Sequence, residues 1–377
     1  MTGSLIDARA TLSTAAPSEV TFILTGNSRF ECGSSDHHTS EYRFAAANLV
    51  FSPVFIGEGV GTLPIEIDGV QITLRQLADY EDREKALRRS HGVRVTAEIR
   101  IPAAIGFDSA RLLASDLCDL CSVARGTLVN WICCDAVDAD GHRTHSYHFP
   151  AVTRPYAEAK PLIDPHTPLD LKAFIEACFT KYRELRTTRE FRTVVHAACE
   201  ARAAGFLDTR SLVCVSLLEH ILGKDAVLHG EATLIDPDVF EVTLPSLASD
   251  VERAVRRAFP DAGDDQIQQI TNHVHGFNWS SPRRRLKRAA ARLGFTIPKQ
   301  EIEALLATRN DLVHRLQFHT KDRFGEYSRL VWVLDTLILG LLGYEGVYLD
   351  ARNLRRTRVK NLGGSDGRSK FLARRST

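Results

Sequence analysis

The stretch PKQEIEALLATRNDLVHRLQFH, at positions 298–319, decides how the second half of the chain folds. Its apolar residues recur at the three- and four-residue spacing of a helix with one buried face. Pro298 suits the first turn of such a helix. The spacing therefore predicts an amphipathic helix that buries Ile302, Leu305, Leu306, Leu312, Val313 and Leu316.

Three polar residues on this helix are candidates for chemistry. At about 100° and 1.5 Å per residue, Asn310 and His314 lie one turn apart on one face, and Arg309 is turned about 140° from His314 and lies about 7.5 Å along the axis. A guanidinium can hold phosphate oxygens, and an imidazole with a pKa near 6.5 can carry a proton at neutral pH. The pattern suits phosphodiester chemistry, but such residues on a helix also often form only a solvated polar face.

Two further stretches support the chemical interpretation. SLVCVSLLEHILG (211–223) and FGEYSRLVWVLDTLILGLLGYEGVYLD (324–350), together with RNDLVH (309–314), resemble the HEPN family of all-helical domains, and most closely its ApeA-like branch. The ending LLGYEG (341–346) is the most specific part of the resemblance. The resemblance covers Leu169–Asp350 and implies an all-α HEPN-like bundle whose catalytic residues are Arg309, Asn310 and His314.

The resemblance also implies an activity. HEPN ribonucleases need no metal or cofactor: the 2′-hydroxyl of RNA attacks the neighbouring phosphate and leaves 2′,3′-cyclic phosphate and 5′-hydroxyl ends. His314 would be the acid or base, Arg309 the phosphate clamp and Asn310 a hydrogen-bonding orienter. Since one His314 cannot serve both sides of the phosphorus, a homodimer is expected. The alternative is a noncatalytic HEPN module that binds RNA or a protein.

The family resemblance extends to biology. ApeA-like proteins resemble antiphage effectors of abortive infection, with tRNA the favoured RNA. The N-terminal domain would then sense a phage-derived trigger or restrain the nuclease. These roles are expectations by analogy, because a fold does not fix its function.

The sequence of positions 1–150 predicts an α+β domain built on a sheet, because runs rich in β-branched and aromatic residues are bounded by Gly or Pro. A helix over Asp108–Gly126, with Asp108 as its N-cap, packs on the sheet. A hairpin turns at DADGH (138–142), with Gly141 in the turn. The remaining predicted strands are Glu19–Gly26, Tyr42–Gly57, Gly69–Leu77 and Gly92–Pro102.

The domain boundary is predicted at 151–168, where prolines recur every few residues as in a linker. A helical domain follows at 169–350. It opens with one long helix or two up to Gly205 and continues with an apolar helix that ends at Gly223. Glu219 on that helix could hold Arg309 or orient His314, or equally face water, and is not part of the predicted site. Shorter helices are predicted at 247–259 and 264–275.

A zinc site in the N-terminal domain is the weaker alternative for chemistry. Two cysteines three apart followed by further cysteines can ligate zinc. However, Cys118 and Cys121 fall on the apolar stripe of a helix, and the adjacent Cys133 and Cys134 point to opposite faces of a strand. They are more typical of small core residues. The histidines that would complete such a site are His142, His145 and His148.

The net charge is +1, but the positive charge is concentrated in two runs. They are Ser281–Arg292 and a tail from Arg352 in which Asp366 is the single acidic residue. Such runs suit a polyanion, although a solvated helix face and a disordered terminus (351–377) are common alternatives.

Eight scattered cysteines favour reduced thiols in the cytoplasm. Met1–Val20 lacks the features of a signal peptide. Asp335 interrupts the apolar run Leu330–Leu349, which favours a core helix and no membrane partner.

Overall fold

The computed structural model describes residues 39–51, 61–77, 79–90, 94–148, 159–188, 190–203, 205–318 and 320–358. They divide into two compact units. The sheet unit comprises the described residues up to Ala203 together with Gly346–Leu349, and the helical unit comprises the others. The chain thus has an N-terminal antiparallel sheet region followed by a mostly helical segment, as predicted.

The sheet unit is built on six antiparallel strands. Their spatial order is β2-β3-β4-β1-β5-β6. Alternate side chains are buried on one face, as the strand period of two requires. The strands are β1 (Glu41–Ala47), β2 (Thr62–Ile67), β3 (Val70–Gln76), β4 (Val95–Pro102), β5 (Asn130–Val137) and β6 (Arg143–His148).

The sequence predicts most of this sheet correctly. β3, β4 and the β5–β6 hairpin are confirmed, and Gly141 in the hairpin turn has φ 85°. β1 ends earlier than predicted, at Ala47, because Asn48 follows with φ 63°. The predicted strand Glu19–Gly26 and positions 52–57 lie outside the described residues. β2 is not predicted from the sequence.

Four helices of the sheet unit are α1 (Tyr80–Ser90), α2 (Phe107–Arg125), α3 (Pro168–Thr188) and α4 (Phe191–Ala203). The sequence does not predict α1, and it predicts α2 with the wrong N-cap. Gly106 is the N-cap, and Asp108 lies in the first turn. Gly126 ends α2 with φ 68°, where a Cβ atom would lie 2.9 Å from the Lys160 carbonyl oxygen, so this position requires glycine.

The compact units divide after α4 and not within the predicted linker at 151–168, of which 151–158 lie outside the described residues. α2 lies against β1, β4 and β5, and α3 and α4 pack on α2. A helix buried on one side by a sheet needs a second layer on its other side. α3 and α4 supply that layer, so they belong with the sheet.

Side chains of α3 also cover the outer edge of β2. Lys172 donates from Nζ to the Pro64 carbonyl at 2.6 Å, and the Glu66 N–H donates to Glu176 Oε1 at 2.9 Å. Lys172 and Glu176 form an ion pair with each other at 2.9 Å. Backbone groups that would otherwise be free at this edge are thereby hydrogen-bonded.

The helical unit is arranged around α5, which packs against α8, α9 and α10. α10 is buried along nearly its whole length. α5 runs five residues past Gly223, where the sequence predicts a stop, because Leu222 before this glycine and Asp225 and Ala226 in the turn after it are buried. Its helices are α5 (Leu207–Leu228), α6 (Pro237–Ala258), α7 (Asp264–Asn272), α8 (Pro282–Arg292), α9 (Lys299–Arg315) and α10 (Arg323–Leu341).

Two short strands, β7 (Val347–Leu349) and β8 (Arg356–Arg358), follow α10. The predicted tail at 351–377 is described only up to Arg358. In the part of the chain that the structure describes, no helix is long and apolar enough to cross a membrane.

Candidate functional site

Arg309, in the second half of α9, is held by Glu219 of α5. Glu219 Oε1 accepts from Arg309 Nε at 2.7 Å and lies 2.6 Å from Arg309 Nη2. Both side chains are partly exposed, Arg309 at 29% and Glu219 at 43%. A carboxylate that takes two N–H groups of one guanidinium fixes the orientation of its plane. The ion pair therefore sets the direction in which Arg309 can meet a ligand.

Asn310 completes this cluster. Its Oδ1 accepts from Arg309 Nη1 at 3.0 Å, so its amide nitrogen points away from the guanidinium. Arg309 has five N–H donors, of which these contacts use three. Two N–H groups of Arg309 and the amide of Asn310 remain as donors that could bind an anion.

His314 lies one turn beyond Asn310, in the last turn of α9, and is exposed. Among the described residues, none forms a hydrogen bond or an ion pair with its side chain. α9 ends directly after it, because Leu316 adopts φ 56° and its N–H closes the last turn on the Leu312 carbonyl at 3.1 Å. His314 is therefore an imidazole open to solvent at a helix end.

Contacts on the opposite side of α9 fix the helix against α10. Thr308 is buried and donates from its hydroxyl to Glu326. Arg329 of α10 pairs with Glu301 at 2.6 Å and with Glu326 at 2.8 Å. These contacts tie two turns of α9 to α10, and so hold the polar residues of α9 in place.

The structure joins the neighbouring Arg309 and Asn310 by a hydrogen bond, and places His314 on the same helix with no hydrogen bond to either. The predicted buried face of α9 is correct for Ile302, Leu305 and Leu312 and wrong for two residues. Val313 is 39% exposed and Leu316 is 68% exposed. Leu312 in the last turn is fully buried, so the buried side of the helix persists to its end but does not include Val313 and Leu316.

Among the residues that the structure describes, the cysteines proposed for zinc form no grouping of possible metal ligands with His142 or His145. Cys118, Cys121 and Cys134 are buried, and burial raises the pKa of the Cys121 thiol to about 12. A thiol is a metal ligand only as thiolate, so this environment opposes metal binding. Within the described ranges, the one grouping of possible ligands is Asp138, Asp140 and His142 in the β5–β6 turn, and it includes no cysteine.

The sequence did not assign Glu219 to the site. Its partner Arg309 is 90 positions away, and only the packing of α5 on α9 makes the pair. The available signal in the sequence was that Glu219 is the lone carboxylate in the apolar run LLEHILG.

Comparison of the chain with protein-family models, with curated proteins and with solved structures found no match in any of the three. Geometry and chemistry are therefore what support a function for the cluster of Glu219, Arg309, Asn310 and His314.

Proposed function

We propose that the chain is a metal-independent endoribonuclease with a HEPN-like helical bundle and the catalytic residues Arg309, Asn310 and His314. One observation carries the proposal: an exposed imidazole lies one helical turn from an oriented guanidinium–amide pair. Among the described residues, none pairs with the imidazole, and two N–H groups of the guanidinium have no acceptor. Such a set offers a proton carrier and an anion binder side by side.

The reaction needs only these groups. The 2′-hydroxyl oxygen of RNA attacks the adjacent phosphorus, the bond from phosphorus to the 5′-oxygen breaks, and a 2′,3′-cyclic phosphate forms. His314 takes the proton of the 2′-hydroxyl or gives one to the departing 5′-oxygen. The free N–H groups of Arg309, together with the Asn310 amide, stabilise the negative charge that grows on the non-bridging oxygens.

A second proton carrier is needed on the other side of the phosphorus, and a homodimer would supply it from the partner's copy of α9. Exposed apolar side chains beside His314 support such a homodimer. Val313 and Leu316 flank it and present apolar surface to solvent at the end of α9. An exposed apolar patch beside a polar site is typical of an interaction surface.

Cleavage of purified tRNA and total RNA in the presence of a chelator tests the activity. Wild-type protein should cut and leave cyclic phosphate ends. His314→Ala should lower the rate by roughly 10²- to 10⁴-fold, and Arg309→Lys should lower it by roughly 10²-fold because the planar fork is lost although the charge stays. His273→Ala, which removes an exposed histidine at the end of α7, is the matched control and should cut normally.

Absence of cutting by wild type, with RNA still bound, would refute the nuclease and support a noncatalytic binding module. Cutting that His314→Ala retains would refute the assigned site.

Sedimentation velocity tests the dimer. Leu316→Asn removes the apolar side chain, and asparagine tolerates the left-handed conformation at this position. The variant should be monomeric at concentrations where wild type is dimeric, and its cleavage rate should fall in parallel. A monomeric wild type that cuts RNA would refute the two-copy site.

That the RNA is tRNA, that cleavage serves antiphage defence and that the sheet unit senses a phage-derived trigger stay predictions from the family resemblance.

A further inference from the structure

Trp279 and Phe277 form an exposed aromatic platform between α7 and α8. Their side chains are 60% and 56% exposed. Trp279 lies in extended backbone, directly after the buried Asn278. Asn278 ends the 3-10 helix His273–Asn278 with its side chain buried, whereas the ring of the next residue, Trp279, is exposed.

The backbone under this platform is firmly held. Asn278 Oδ1 accepts from the N–H groups of Leu234 at 3.1 Å and Ile235 at 2.7 Å, and its Nδ2 donates to the Ile235 carbonyl at 3.0 Å. The Ser280 N–H donates to the Ala232 carbonyl at 2.9 Å. The indole is therefore presented by a fixed strand-like segment, which reduces the entropy that a ligand must overcome to bind it.

Unpaired positive charge adjoins the platform. Of the basic residues of α8, Arg283, Arg288 and Arg292 pair with carboxylates. Arg284 and Lys287 are exposed and form no ion pair with any residue that the structure describes. The Arg285 guanidinium carbon lies 6.0 Å from the centre of the Trp279 ring, within the range of a cation–π contact.

This basic end of α8 lies along the same face of α9 as the proposed site. Arg283 pairs with Glu303 of α9. At about 100° per residue, Asn310 and His314 each lie within about 20° of Glu303 around the helix, and about 10 and 16 Å further along its axis. A strand that crosses α8 at Arg283 can therefore continue over Asn310 to His314.

We infer that Phe277, Trp279, Arg284, Arg285 and Lys287 bind single-stranded RNA, an inference that rests on the proposed nuclease for its choice of RNA. Bases stack on exposed aromatic rings in a sequence-tolerant way, and unpaired Arg and Lys side chains hold the phosphates between them. A duplex keeps its base faces stacked on one another, so a flat exposed indole selects a single strand. The surface holds nucleotides a few positions from the bond that is cut.

Binding is measured by fluorescence anisotropy with the full chain carrying His314→Ala and a fluorescein-labelled single-stranded oligoribonucleotide of about 12 nucleotides. Adding Trp279→Leu should weaken binding roughly 5- to 100-fold and leave the salt dependence unchanged. Trp279→Phe should restore most of the affinity, because a phenyl ring still stacks.

Arg284→Gln with Lys287→Gln should instead flatten the slope of log affinity against log salt by about 1.4, since each phosphate contact to a single strand contributes about 0.7. The matched control is Arg89→Gln with Arg257→Gln, which removes two exposed positive charges on α1 and α6 and should leave the slope unchanged. A duplex of the same sequence should be insensitive to Trp279→Leu.

Equal affinity of all variants for the single strand, or an equal loss for the duplex, would overturn the inference. The two proposals fail separately. If the variants lose binding but wild type never cuts RNA, the surface stands and the nuclease fails. If wild type cuts RNA and the Trp279→Leu substitution changes neither binding nor cleavage, the nuclease stands and the surface fails.

Discussion

The sheet unit and the helical unit each contain a cluster of carboxylate, arginine and histidine, and the two differ in burial. In the sheet unit, Asp119 of α2 is 1% exposed and accepts from the Tyr182 hydroxyl of α3. Arg192 and His196 of α4 lie 3.3 and 3.4 Å from its oxygens. In the helical unit, the carboxylate that pairs with Arg309 is 43% exposed, and the exposed His314 side chain forms no hydrogen bond or ion pair with any described residue.

This difference in burial distinguishes side chains that stabilise the fold from side chains of the same types that can take part in a reaction. Asp119 of α2 contacts side chains of α3 and α4 and is almost fully buried, which is typical of a structural group. The Arg309 cluster contributes little to folding, because exposed ion pairs are weak. Its side chains reach solvent, and two N–H groups of Arg309 have no acceptor among the described residues. Identical side chains are therefore expected to affect stability in one unit and reactivity in the other.

The largest expected effect on stability is that of Asp119→Ala. Removing the carboxylate leaves the Tyr182 hydroxyl buried without its acceptor, and takes the counterion from Arg192. The free energy of unfolding should fall by about 3 kcal/mol, toward the low end for a buried pair because Arg192 is half exposed. Denaturant unfolding followed by circular dichroism measures it.

Glu219→Ala is the matched control for that experiment. It should lower the free energy of unfolding by less than about 1 kcal/mol, since both partners of its ion pair reach solvent. Equal losses in the two variants would contradict the distinction between the clusters.

A smaller effect, on activity, is expected for Glu219→Gln. The amide oxygen of glutamine can accept only weakly from Arg309, so the guanidinium plane is less well oriented and cleavage should slow roughly 10- to 100-fold. Cleavage rates of the single and double variants with Arg309→Ala measure the coupling. Glu219→Gln should cost nothing further once Arg309 is gone, and an independent loss would show that Glu219 does not act through Arg309.

The smallest effect is a change in alkaline stability. Burial, followed by the nearby Asp119, raises the pKa of Tyr182 above its ordinary value near 10. Above pH 10 the unfolded chain releases a proton that the folded chain keeps, so stability is full below this pH and falls as pH rises, by about 1.4 kcal/mol per pH unit.

Tyr182→Phe should remove this one-proton slope, measured as unfolding free energy between pH 9 and about 11.5. The buried cysteines, whose pKa values burial also raises, contribute equally to both proteins and cancel in the comparison. An unchanged slope would mean that Tyr182 ionises as easily in the folded chain as in the unfolded one.

The sequence predicts elements whose periodicity is unbroken, and two of the elements that it misses or shortens contain a breaker. β4 alternates plainly and is confirmed. β2 was missed because Pro64 lies in its middle, yet a proline is tolerated there since β2 is an edge strand and Pro64 faces outward. Gly223 was predicted to end α5, but the helix continues because Asp225 and Ala226 in its next turn are buried. Tertiary packing decided these cases.

The candidate site divides in the same way. Arg309, Asn310 and His314 are within one helical turn or so of each other, so helix geometry alone predicts their placement. Glu219 comes from a separate helix, and no local pattern predicts which side chain of α5 meets α9. Trp279 did have a local signal, because FNW lies one residue before the basic run SPRRRLKR, but no local pattern predicts that its ring is exposed while Asn278 beside it is buried.

The Lys172–Glu176 pair at the edge of β2 has a consequence for how the chain behaves in a crowded solution. A bare edge strand offers its backbone to any extended segment of another molecule and so seeds aggregation. Here an approaching strand would have to displace a lysine from the Pro64 carbonyl and a glutamate from the Glu66 N–H, and would still find no N–H at Pro64. The sheet is thus protected from growing into intermolecular fibres on that side.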